Sequence, residues 1–144
     1  MIVLDAYAVL AVLKGEAAAD QVGRLLVGER EAALTALGVA EVVDHLIRLA
    51  GADEDEAVLD LAQLGLASPS PVDAGLAVRA GLLRARHYHR RSRAVSLADC
   101  VAAEMARGAE SALASADPHL LDLCREEDIA TIPLPESTGQ TWSP

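Results

Sequence analysis

The chain has 144 residues, of which 52% are apolar and only 2% aromatic, with no Phe. That length suffices for one domain with a proper core, and a core rich in Ala, Leu and Val suits helices packed on a buried sheet. The net charge of −10 does not advertise nucleic-acid binding through bulk electrostatics, and no apolar run approaches the ~18 residues of a membrane span.

Cys100 and Cys124 show no framework spacing, and the N-terminus has no basic leader, so a cytoplasmic protein in a reducing compartment is expected, away from membranes. Met1 to Leu4 reads as a strand buried on both faces, as in a parallel sheet, with Asp5 at its carboxyl end. Ligands bind at that end of open α/β sheets. Asp5 also suits the N-cap of a helix starting near Ala6. Ala17 to Val27 predicts a second helix with Ala18, Val22, Leu25 and Leu26 inward, then a charged turn at Glu29 to Glu31. Ala32 to Leu37 reads as a second strand, and Gly38 leads into the helix GVAEVVDHLIRLAG.

On that helix Glu41, Asp44, His45 and Arg48 fall at i, i+3, i+4 and i+7 and form one polar stripe. Val42, Val43, Leu46, Ile47 and Leu49 cover most of the rest, so the stripe faces solvent or a polar cleft. A Glu–His pair at this spacing ligates a metal only with a third ligand. Asp53 to Leu64 predicts a surface helix opened by acids, with Val58, Leu61 and Leu64 inward. Ala67 to Val72, with Pro69 and Pro71, is a loop or a poor edge strand.

Asp73 then caps a long helix through about Arg91, and the charge inverts. Residues 74 to 98 hold no acid but carry six of the twelve Lys and Arg residues, with His87 and His89. Arg79, Arg86 and Arg90 fall on one helical stripe at i, i+7 and i+11, placed for phosphates or for an acidic partner. Ser96 and Asp99 have capping-box spacing and open a helix that stops near Gly108. A small-residue strand from Ser111 to Ser115 follows, then Asp117-Pro118 opens the helix Pro118 to Glu126, with Leu120, Leu121 and Leu123 inward. Ile129 to Leu134 is the last strand, and the tail from Pro135 frays or drapes over the surface.

Asp5, Glu41, Asp99 and Asp117 each sit near a strand-to-helix junction, so a parallel sheet would bring all four to one edge. The bland alternative is that Asp99 and Asp117 are caps alone. Clustered carboxylates repel unless a divalent cation neutralises them, and oxygen-only ligands favour Mg²⁺ or Mn²⁺ over zinc.

The segments VLDAYAVLAVL, EVVDHLIR, SLADC and ASADPHL, in that order, resemble the PIN-domain ribonucleases, specifically VapC-type toxins of bacterial toxin–antitoxin pairs. The resemblance runs from Met1 to about Ser137, which makes residues 1–137 the nuclease domain and 138–144 a C-terminal tail. It implies a three-layer α/β/α sandwich around a mainly parallel sheet, Mg²⁺- or Mn²⁺-dependent cleavage of an RNA substrate, assembly as a homodimer and inhibition by a small antitoxin protein. Asp5, Glu41, Asp99 and Asp117 match the family's four acids, and Ser115 matches its hydroxyl residue two places before the last acid. Tyr7 stands where many members have a small Ser or Thr, which alters one wall of the pocket. Asp44 and His45 are not core family positions and are candidates only for a supporting role.

Two other classes compete. A non-catalytic PIN-like module binding RNA or protein would be expected to have lost at least one of the four acids. An aspartyl-phosphate phosphatase wants Asp-x-Asp at strand one, where this chain has Asp5-Ala6-Tyr7, and a receiver domain wants a late lysine, where the only lysine is Lys14.

Overall fold

The computed structural model describes residues 1–67 and 71–144. Among these, β1 (Ile2–Leu4), β2 (Ala32–Leu34), β3 (Ala112–Ser115) and β4 (Thr131–Pro133) form one sheet in the order β2-β1-β3-β4. Every pairing is parallel, with Ile2 opposite both Ala32 and Ala112, and Leu113 opposite Thr131.

Alternate strand residues feed two cores, as the period of two requires. Ile2, Leu4, Leu34 and Ala114 pack beneath α1 (Ala6–Lys14), α2 (Ala19–Leu26), α3 (Ala36–Arg48) and α4 (Glu54–Ala62). Val3 and Leu113 pack beneath α5 (Ala74–His87), α6 (Leu97–Gly108) and α7 (Pro118–Glu126). The result is the expected three-layer α/β/α sandwich. Fully buried Leu4, Leu83, Leu113, Leu120 and Leu123 anchor it, each contributing roughly 2 kcal/mol of burial. Buried Ala102, Ala103 and Ala106 on α6 take the place of bulky aromatics, so this helix lies close against the sheet. Cys100 and Cys124 are free and buried; burial pushes their thiols up to about 11 and about 12, which leaves them unreactive.

Several elements differ from their sequence-based expectation. β2 stops at Leu34 because the Thr35 side chain accepts a 3.0 Å bond from the Gly38 amide and turns the chain into α3 early. Leu49 falls just past the end of α3 and is exposed rather than covering. On α4 the small Ala57 is the buried residue, while Val58 points to solvent. α5 ends at His87, not Arg91. Tyr88 is extended, and His89 and Arg93 exchange backbone bonds of 3.0 and 2.9 Å that close a tight turn. The His89 ring accepts from the Arg91 and Ser92 amides inside it. Of the expected loop or edge strand at 67–72, Ala67 makes a single parallel bridge to Ala33, and residues 68–70 lie outside the described residues.

Gly38 lies inside α3 rather than before it, where the helix meets the end of β2. A Cβ there would stand 2.5 Å from the Leu34 Cδ1, and Leu34 is itself buried. Gly38→Ala gains about 1 kcal/mol of helix propensity but forces this contact apart. A net loss of roughly 1–2 kcal/mol in a thermal melt is expected. A melting temperature at or above wild type would show that α3 can yield.

A candidate metal centre at the carboxyl edge of the sheet

β1 and β3 are neighbours whose following helices lie on opposite faces, so a crevice opens where their carboxyl ends part. Asp5 ends β1 and Asp117 follows β3 by two residues. The Asp5 amide donates to the Ala114 carbonyl at 3.1 Å, which ties this corner to β3. One Asp5 oxygen accepts from the Ala8 amide at 2.8 Å, capping α1. Asp117 caps α7 through the His119 amide at 2.9 Å, and its own amide donates to the Ser115 hydroxyl at 3.0 Å. Ser115 is wholly buried between the two acids.

Asp99 arrives from the other side on the first turn of α6. Its carboxylate accepts from the Ser96 amide at 2.7 Å while the Ser96 hydroxyl accepts from its amide at 3.0 Å, the reciprocal capping box the sequence predicts. Glu41 joins from the second turn of α3. A narrow cleft lined by Asp5, Thr35, Gly38, Glu41, Asp99 and Ala102 joins the three elements; its volume of about 10 Å³ is near that of one water-sized sphere.

The electrostatics follow from this crowding. Burial pushes the Asp5 carboxyl up to about 7; the Ser115 hydroxyl and the Ala8 amide pull it down, and Asp99 and Asp117 push it up again. Asp99 is raised by burial and by Asp117, against the Ser96 bonds and the Arg84 charge. Glu41 is raised by burial and by Asp99. Among the described residues no Lys or Arg forms an ion pair with any of the four acids. Nor do three of them already close into a ready-made ligand group. Oxygen donors short of a counter-charge fit a hard divalent cation, and these four residues are the candidates to hold one.

The other candidates are placed differently. Asp44 pairs with Arg48 at 2.9 Å on the solvent side, and His45 meets Lys14 at 3.1 Å. The polar stripe therefore splits, and Glu41 alone of its four residues lines the cleft. Arg90 is off the helix, so the three-arginine stripe does not form. Arg79 and Arg86 face carboxylates that follow later in the chain: Glu104 at 3.7 Å and Glu127 at 3.6 Å. With Arg107, which bonds Glu127 at 2.7 Å, they ring a hollow of about 330 Å³ between α5 and α6, two turns from Asp99. His87 and Arg93 extend this network to Glu126 and Glu127. Arg90 and Arg91 are exposed and have no carboxylate partner among the described residues. Their turn adjoins the acids, since the carbonyl of Ser92 lies 3.0 Å from the His119 ring nitrogen. Thr35 and Gly38 also shape the cleft, and the sequence signal for them is a Thr ahead of a Gly-containing helix start.

The model of the PIN domain family matches residues 2–126, and the chain belongs to that family. PIN domains are in general nucleases, commonly dependent on divalent metals. Among solved structures, the chain is similar to VapBC2 from Rickettsia felis bound to a DNA fragment from their promoter, at 15% identity and a TM-score of 0.68, covering 92% of this chain and 98% of that one. FitAcB from Neisseria gonorrhoeae matches at 17% identity and a TM-score of 0.63, covering 92% and 96%. VapBC-1 from nontypeable Haemophilus influenzae matches at 16% and 0.65, covering 92% and 97%. No curated protein sequence matches. Among the described residues no helix is long and apolar enough to cross a membrane.

Proposed function

We propose that this chain is a Mg²⁺- or Mn²⁺-dependent endoribonuclease, the toxin of a toxin–antitoxin pair whose small partner protein inhibits it. The observation that carries the reading is that Asp5, Asp99 and Asp117 come from three separate elements to the crossover point of a parallel sheet, near enough that Asp99 and Asp117 bear on the charge of Asp5, and Asp117 on that of Asp99. Asp5, Glu41, Asp99 and Asp117 would hold the metal, which, when bound, lowers the pKa of an attacking water and stabilises the leaving oxygen. Ser115 keeps Asp117 and Asp5 in register through its buried hydroxyl. The backbone caps fix the rotamers of Asp5, Asp99 and Asp117, so little ordering remains when the ion arrives. The similar toxin–antitoxin complexes support the antitoxin partner; the homodimer remains the family's expectation for this chain.

Of the three arginines expected to meet RNA, Arg90, with its neighbour Arg91, belongs to the turn that touches the first turn of α7, the helix Asp117 caps, and has no carboxylate partner among the described residues. Arg79 and Arg86 would reach phosphates only by leaving Glu104 and Glu127. The test is RNA cleavage and binding by the purified protein. Cleavage is expected with Mg²⁺ or Mn²⁺ and none in EDTA. Replacing Arg90 and Arg91 by Ala should lower the log–log salt slope of RNA affinity by up to about two. Cleavage unaffected by EDTA would sink the metal-dependent reading, and an unchanged slope would remove the turn from the RNA path.

A further inference from the structure

On the far side of Asp117 the surface opens into a hollow of about 280 Å³ lined by Tyr7, Ala116, Asp117, Pro118, Glu136 and Ser137. Its walls are Tyr7, Ala116 and Pro118; its polar residues are the acids Asp117 and Glu136 with Ser137, and among the described residues no Lys or Arg lines it. The tail builds the outer side. The Tyr7 hydroxyl donates to the Pro135 carbonyl at 3.0 Å, so the ring is held by α1 at one end and by the tail at the other. Glu136 sits in a closed turn: its amide donates to Gln140 at 2.7 Å and its carbonyl accepts from Gly139 at 2.8 Å. Trp142 then pins the tail to α7 through Asp122 at 3.2 Å.

An apolar slot with one aromatic wall and an acceptor rim fits a flat heterocycle that carries N–H donors on its edge. The volume lies just under the ~300–1,000 Å³ of drug-sized sites, which suits a single base. Guanine presents an imino N–H and an amino group side by side, and these match the two oxygens of one carboxylate. Uracil presents one N–H between two carbonyls, which a carboxylate repels. RNA bases outside a duplex are held in this way, by stacking on an aromatic ring and by bonds to their pairing edge.

We propose that this hollow is a nucleobase subsite for a guanine adjoining the phosphodiester at the acidic edge, with Tyr7 stacking on the base and Glu136 accepting its paired donors. The proposal rests on the nuclease reading, and two measurements separate the two. The first uses neutral nucleosides as probes, titrated into metal-free full-length protein and followed by NMR. Guanosine should bind about 10-fold tighter than uridine and shift the Tyr7 and Glu136 signals. Tyr7→Ala should weaken guanosine roughly 5- to 150-fold, Tyr7→Phe should retain binding, and Glu136→Gln should erase the difference between the nucleosides. Equal binding of the two nucleosides, or shifts confined to other surfaces, overturns the subsite. The second maps cut sites in random-sequence RNA with Mn²⁺. Guanine should be enriched at one position beside the cut, and Glu136→Gln should abolish the enrichment among the cuts that are made. Cleavage with no base preference overturns the subsite and leaves the nuclease intact; guanosine binding without any cleavage upholds the pocket and sinks the nuclease.

Discussion

Asp99→Asn should abolish RNA cleavage, by well over 10²-fold, while producing a protein that melts higher than wild type in EDTA. The loss follows from removing a carboxylate from the proposed metal centre; even partners one step removed from a metal typically cost 10- to 100-fold. The gain in EDTA follows from the same charge. Asp99 is raised by burial and by Asp117, so the ionised form is strained in the metal-free fold. Asn keeps the shape and its amide oxygen can still accept from the Ser96 amide, so the reciprocal box around the Ser96 N-cap survives. Added Mn²⁺ should stabilise wild type by roughly 2.7 kcal/mol at a hundredfold excess over its dissociation constant, and the variant by much less. Should both proteins melt alike in EDTA and respond alike to Mn²⁺, Asp99 is a helix cap and nothing more.

The metal-free protein should also lose stability as pH rises from about 4 to about 7, opposite to the usual behaviour of carboxylates. In the unfolded chain Asp5 releases its proton near 3.8, whereas in the fold it holds the proton to about 7. Between those values the folded state binds more protons, so each step up in pH favours unfolding. The penalty is complete above pH 7 and is on the order of 4 kcal/mol for the full shift. Glu41 and Asp99, raised as well, add in the same direction. Asp5→Asn keeps the bond to the Ala8 amide and removes the titration, so its melting temperature should be flatter across this range and higher at pH 8. Bound Mg²⁺ or Mn²⁺ favours the ionised form and should flatten wild type too. Parallel pH profiles of wild type and Asp5→Asn in EDTA would show that Asp5 titrates as an ordinary carboxyl.

What could be read from the sequence was what local chemistry decides. The apolar run into Asp5, the Ser96–Asp99 box and Asp117-Pro118 each carry their signal within four residues, and all three appear in the fold as expected. Where the reading failed, the deciding partner lies elsewhere in the chain. Arg79 and Arg86 looked like a one-sign stripe because Glu104 and Glu127 are separated from them by 25 and 41 residues. Ala57 is buried and Val58 is not because α4 turns inward the face that carries Ala57 and Leu61, with Leu64 just past its end, a rotation set by its packing partners that hydrophobicity alone does not encode. The short β2 was a choice between strand propensity and a Thr cap, and the cap won. Glu136 carries no local signal in the sequence, because its surroundings come from α1 and α7.

The strand order also sets when the protein comes into being during synthesis. β1 can pair with β2 as soon as the segment through Leu34 has left the ribosome, but its other neighbour is β3, at residues 112–115. Closing so long a loop brings little return until the whole second half is available to pack. Asp5 therefore waits for Asp117, made 112 residues later. Until β3 emerges a nascent chain holds no assembled acidic edge, and a chain truncated before β3 lacks both Asp117 and the strand to which the Asp5 amide is tied.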